Sequence, residues 1–157
     1  MHLLRQKILE PLVSHSARAC PFALQKLALE KVLAQVFATE IADGDLDCLN
    51  DRCLKVQVND LNLGWRISLT GEKVCVLPVA GDADVTISGN AREFALLVGR
   101  QEDPDTLFFQ RRLMIEGDTE LGLEIKNILD ALDHQSLPFP LKQILESVSQ
   151  VSRLIYA

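Results

Sequence analysis

No CxxC spacing links the four cysteines (Cys20, Cys48, Cys53 and Cys75), and no HxxxH or Cys/His pairing involves the three histidines His2, His15 and His134. A zinc site is therefore not expected, and the cysteines read as reduced thiols acting as small buried hydrophobes. Cations are in the minority. Sixteen Lys and Arg against 22 Asp and Glu give a net charge of −6, whereas a general nucleic-acid binder needs clustered positive charge for its phosphate contacts. No run approaches the roughly 18 uncharged apolar residues of a spanning helix. The opening Met1-His2-Leu3-Leu4-Arg5-Gln6-Lys7 meets Glu10 and Pro11 before any long apolar run forms, so a secretory signal is not expected. P-loop, dinucleotide fingerprint and nucleophile elbow are all missing.

What is present suits one globular domain with a large core. The chain has 157 residues, 48% of them hydrophobic and 24% charged, and a domain of that length buries about 68–70% of its unfolded surface without staples. Leu3, Leu4, Ile8, Leu9 and Leu12 mark a short amphipathic opening segment, and 14–21 reads as a connector. From Phe22 the spacing turns helical, with Leu24, Leu27, Ala28, Val32, Val36 and Phe37 on one side, until Asp43-Gly44-Asp45 ends the run.

The period then becomes two. Leu54, Val56 and Val58 alternate with polar residues, as do Trp65, Ile67 and Leu69; Val74–Val79 and a segment around Val85 and Ile87 follow. Their short Gly/Asp/Asn connections predict antiparallel hairpins rather than βαβ crossovers. Val74-Cys75-Val76-Leu77, apolar on both faces, predicts the most enclosed strand. Ala91–Val98 reads as a helix, Asp103-Pro104-Asp105 as a turn or short helix, and Leu113-Met114-Ile115 as a fifth strand. Asp118 or Thr119 caps a helix carrying Leu121, Ile125, Ile128 and Leu132. After Pro138 and Pro140, a last helix bears a narrow stripe of Leu141, Ile144, Leu145, Val148, Val151 and Ile155. The order predicts an α+β domain, with helices over one face of a mostly antiparallel sheet. Residues 1–21 form a helical extension, 22–133 the domain, and 134–157 the closing amphipathic helix.

Carboxylates sit where caps recruit them, at Asp103/Asp105 and Asp118/Glu120, so no catalytic residue is assigned. Phe108-Phe109-Gln110-Arg111-Arg112 admits two readings. It is a core-anchored turn, or it borders an apolar cavity with a guanidinium holding a polar head group. Gly122, inside a helix, needs either close packing or space left for a ligand.

The run from Asp103 to Gly122, with the order of elements between Phe22 and Leu132, resembles the sterol carrier protein type-two domain, and within it the bacterial ubiquinone biosynthesis accessory factors. The resemblance implies a five-stranded sheet with helices over one face and an apolar tunnel between them. It implies a non-catalytic carrier of isoprenoid quinone precursors or phospholipid, with no other cofactor. The setting implied is the oxygen-independent ubiquinone pathway beside UbiU- and UbiV-type hydroxylases. The expected lining is Trp65, Ile67, Leu97, Phe108, Phe109, Met114, Leu121, Ile125 and Ile128, with Arg111 and Arg112 for the head group. A cytoplasmic protein that touches the inner membrane peripherally and transiently is expected. The closing helix is free to lid the tunnel, meet the membrane or pair two copies, and a protein scaffold without cargo is the alternative.

Overall fold

The computed structural model describes residues 21–98 and 101–132. The expected opening and closing helices, and with them the stripe from Leu141 to Ile155, lie outside the described residues.

A helix α1 (Phe22–Val36) is followed by a one-turn helix α2 (Ala38–Ala42) and a 3-10 turn at Asp47–Leu49. Strands β1 (Leu54–Val58), β2 (Leu63–Thr70), β3 (Lys73–Pro78) and β4 (Val85–Gly89) come next. Helices α3 (Ala91–Val98) and α4 (Pro104–Phe109), strand β5 (Leu113–Gly117) and helix α5 (Thr119–Ala131) complete the domain. The break between α1 and α2 falls at Phe37, which is outside helical geometry.

The five strands form one sheet in the order β3-β2-β1-β4-β5. Three pairings are antiparallel, as the alternation predicts. The β3–β4 connection departs from the hairpin expectation, because β4 lies parallel to β1, with Leu54 opposite Val85. Residues 79–84 must cross three strand spacings of about 4.8 Å and descend two residues. That is within reach of extended chain at about 3.3 Å per residue, so no crossover helix is needed. Lys55 Nζ donates to Gly81 C=O at 2.8 Å and Arg66 Nε to Pro78 C=O at 2.7 Å, pinning the connection from the polar face of the sheet.

A second departure concerns β3. It is an edge strand, and Leu77 on its outer face is exposed. Its apolar residues reflect an edge that α1 covers. The Val76 N–H donates to Glu30 Oε1 at 3.0 Å and Lys26 Nζ donates to the Val76 C=O at 3.0 Å, while Lys26 also pairs with Glu30. Side chains four residues apart on α1 thus occupy backbone groups that would otherwise invite a further strand.

Register places Leu54, Val56, Ile67, Leu69, Val74, Val76, Val85, Ile87 and Ile115 on one face. The main core joins Leu54, Leu69, Val74, Val85 and Ile87 to Ile41, Leu46 and Leu49 on one side and to Leu121 and Ile125 of α5 on the other. A smaller cluster holds Leu97, Leu107 and Leu113.

Candidate functional site

The inner face of the sheet is not sealed evenly. Val76, Val85 and Leu113 have almost no solvent contact and Leu54, Leu69 and Ile87 are buried, whereas Val56, Trp65 and Ile67 on β1 and β2 are only half-buried. Val56 stands directly opposite Trp65 across β1 and β2. The Trp65 indole N–H donates to Gln25 Oε1 at 2.8 Å, which ties the ring to α1. Leu33, Phe37, Phe94, Phe108, Ile128 and Leu129 pack on the core with part of their surface left over. Helices α1 and α5 thus rest on opposite flanks of the sheet and leave a half-covered apolar strip between them.

The Asp103–Gly117 stretch follows from its local chemistry. The Asp103 carboxylate accepts the Thr106 N–H at 3.3 Å and Pro104 occupies the first turn, so α4 is capped as its sequence suggests. Leu107 points inward and is wholly buried, and Phe108 bridges the two clusters. Phe109 points outward, 91% exposed. The helix ends with the Arg111 N–H on Phe108 C=O at 3.1 Å and the Arg112 N–H on Leu107 C=O at 3.0 Å. This paired closure usually places glycine where Arg111 stands with φ +59°. An open groove of about 820 Å³ beside α4 is lined by Asp105, Thr106, Phe108, Phe109, Gln110 and Lys126, with Lys126 paired to Asp105.

The two expected head-group arginines differ in their surroundings. Arg112 is engaged by Glu93 at 2.9 Å and Glu102 at 2.8 Å, and it also donates to Gln110 at 3.2 Å. Hydrogen bonding to Glu102, then to Glu93, raises its already high pKa further. Arg111 has no ion-pair partner among the described residues, and its side chain is exposed.

Of the expected lining residues, Ile67, Phe108, Leu121, Ile125 and Ile128 come together in one cluster, and Leu97 joins through Phe108. Trp65 shares their face of the sheet. Leu121 and Ile125 are sealed within the core rather than bordering open space. Met114 alternates to the opposite face beside Ser88, and Phe109 lies outside, on the groove. Val56, Leu33, Phe37, Phe94 and Leu129, absent from the expected set, pack on the same cluster. Pairing Val56 with Trp65 in a hairpin register would have found the first.

Asp118 accepts the Leu121 N–H at 3.1 Å and caps α5, in keeping with a structural role for these acids. Cys48, Cys53 and Cys75 are free thiols. Burial first, then the neighbouring Glu124 carboxylate, pushes the Cys48 thiol up to about 11; burial also raises Cys53. Among the described residues no three His, Cys, Asp or Glu side chains gather as a metal site, and no helix is long and apolar enough to cross a membrane.

Residues 29–130 match the SCP-2 sterol transfer family. The protein of Escherichia coli (strain K12) described as ubiquinone biosynthesis accessory factor UbiT is 43% identical over 134 residues, covering 85% of this chain and 76% of its own. The protein of the same description from Escherichia coli O157:H7 matches to the same extent. Among solved structures, "UbiJ-SCP2 Ubiquinone synthesis protein" superposes with a TM-score of 0.58 at 23% identity, over 72% of this chain and 100% of that one. That last likeness concerns the fold.

Proposed function

The chain belongs to the SCP-2 sterol transfer family and, within it, to the UbiT ubiquinone biosynthesis accessory factors, and from that premise we propose that it holds a polyprenylated quinone precursor against the strip between α1 and α5. Membership makes it a non-catalytic accessory factor. The observation that carries the cargo reading is the half-burial of Val56, Trp65 and Ile67 on β1 and β2, beside the buried Leu54, Leu69 and Ile87 of the same sheet face. Each methylene of an isoprenoid tail removed from water contributes about 0.8 kcal/mol, so a few isoprene units laid along that strip suffice for stable binding. Ile67, Phe108 and Ile128 contact the tail together with Trp65 and the added Val56, Phe37 and Phe94. Leu97, Leu121 and Ile125 support the wall from behind. Arg111, which has no ion-pair partner among the described residues, serves the head group more readily than Arg112. The protein presents this cargo to UbiU- and UbiV-type hydroxylases in the oxygen-independent pathway.

Trp65 is the only tryptophan of the chain, which makes the test direct. Titration with a short-chain ubiquinone should quench Trp65 emission saturably in the wild type, and Ile67→Trp, which fills the strip, should abolish uptake measured by organic extraction while retaining the circular-dichroism spectrum. Unchanged Trp65 emission at saturating quinone would contradict the cargo reading.

A second reading, a scaffold for biosynthetic enzymes, draws on the exposed Leu24 and Leu27 of α1. In that case partner capture should survive Ile67→Trp and fail with Leu27→Glu.

A further inference from the structure

The two helices that flank the apolar strip are held in different ways. Helix α5 buries Leu121, Gly122 and Ile125 and is capped by Asp118, whereas α1 has no buried residue over its whole length. Leu24 and Leu27 are 57% and 66% exposed, and no side chain caps the first turn of α1. Among the described residues α1 packs mainly on β3, the edge strand. Its N-terminal half is fastened there by polar ties: Lys26 and Glu30 hold the two backbone groups of Val76, and Gln25 accepts the Trp65 indole N–H. Apolar anchorage lies at the other end, where Leu33 and Phe37 pack on the core and Ile41 of α2 is buried. Between them the chain leaves helical geometry at Phe37, φ −102° and ψ 21°. A segment with so few buried apolar contacts opens locally at a small fraction of the free energy of global unfolding.

We infer that α1 is the gate of the strip: it lifts about Phe37, releases Val76 and Trp65, and admits cargo between itself and the fixed wall of α5, with Lys26 and Glu30 as its latch. The inference rests on the cargo reading and adds to it the path by which cargo enters and leaves.

The test joins hydrogen exchange of the unliganded full chain, read by mass spectrometry, to stopped-flow mixing with a short-chain ubiquinone, read by Trp65 emission. A lifted α1 frays, because an isolated helix of this length is marginal in water. Its amides over 24–31 should therefore exchange faster than those over 122–129 in α5. Glu30→Ala, which takes the acceptor from the Val76 N–H and the partner from Lys26, should speed exchange over 24–31 about tenfold and leave α5 unchanged. Alanine favours the helix itself, so faster exchange there reports the lost latch. The same variant should speed quinone uptake and quinone release alike by about tenfold, leaving affinity little changed. Lys26→Met should move both rates in the same direction by less, and Gly122→Ala, which disturbs the opposite helix, should move neither. Absence of quenching by quinone in every protein would remove the cargo reading, and the gate with it. Saturable quenching whose rates Glu30→Ala leaves unchanged, or unaltered exchange over 24–31 in that variant, would overturn the gate alone.

Discussion

Gly122 is held against Ile115: a Cβ on this glycine would lie 2.8 Å from Ile115 Cγ2 and 3.6 Å from Val85 Cγ2. Of the two reasons the sequence offers for a glycine inside α5, close packing on the sheet is the one the structure supplies. A large residue at 122 is therefore a test of packing, not a means of filling a cargo space.

Gly122→Ala should lower stability despite better helix propensity. Overpacking costs about 1–3 kcal/mol, against a gain of about 1 kcal/mol from replacing a helical glycine. Urea unfolding should show a modest net loss for alanine and a larger one for leucine. Ile115→Ala should make the Gly122→Ala cost smaller, since it removes the clashing methyl group.

Arg112 separates a structural from a ligand role. Its partners Glu93 and Glu102 are largely shielded from water, and losing charge-assisted hydrogen bonds of this kind costs about 1.5–3 kcal/mol. Arg112→Ala should therefore lower the melting temperature clearly. An unchanged melting temperature with lost lipid uptake would instead make Arg112 a head-group ligand.

Glu30 should give acid sensitivity. The hydrogen bond from Lys26, then the Val76 N–H, holds its carboxyl below the ordinary value of 4.5. The unfolded chain protonates first as pH falls. The stabilisation is thus present above about pH 4.5 and is lost as pH drops toward the folded-state value. Glu30→Gln should be less stable at neutral pH and should lack this acid-side loss in stability measured against pH.

Cys48 should behave in the opposite sense. With its thiol pushed up to about 11 from an ordinary 9.0, the unfolded chain ionises first, so stability falls as pH rises from about 9 toward 11. Alkylation of Cys48, followed by peptide mapping, should still be accelerating above pH 9. Glu124→Gln should shift that profile downward; half-maximal reaction near pH 9 in both proteins would contradict the assignment.

The strands, the α3 and α5 helices and both aspartate caps were legible because each is a local pattern: period two, period 3.6, and an acid before a helical run. The parallel placement of β4 was not, since residues 79–84 have the composition of a hairpin connection, and the residues that pin them elsewhere, Lys55 on Gly81 and Cys53 on Asp84, are distant in sequence. The enclosure expected for β3 failed for a related reason. Apolar residues on both faces read as an interior strand, but they belong to an edge whose protection comes from Lys26 and Glu30, almost fifty residues away. At the site, adjacency misled. Phe108 and Phe109 point to opposite sides of one helical turn, and Arg111 and Arg112 divide between an exposed turn and an ion-pair cluster. Adjacent residues on a helix point about 100° apart, and which of the two turned inward depended on tertiary partners.

Gentle isolation of the full chain, followed by native mass spectrometry and organic extraction, tests the lipid-holding reading most directly. The account predicts a stoichiometric hydrophobic adduct, identified after extraction as an isoprenoid quinone precursor and absent from Ile67→Trp. An adduct-free spectrum with an empty extract, or the same lipid retained by Ile67→Trp, would contradict it.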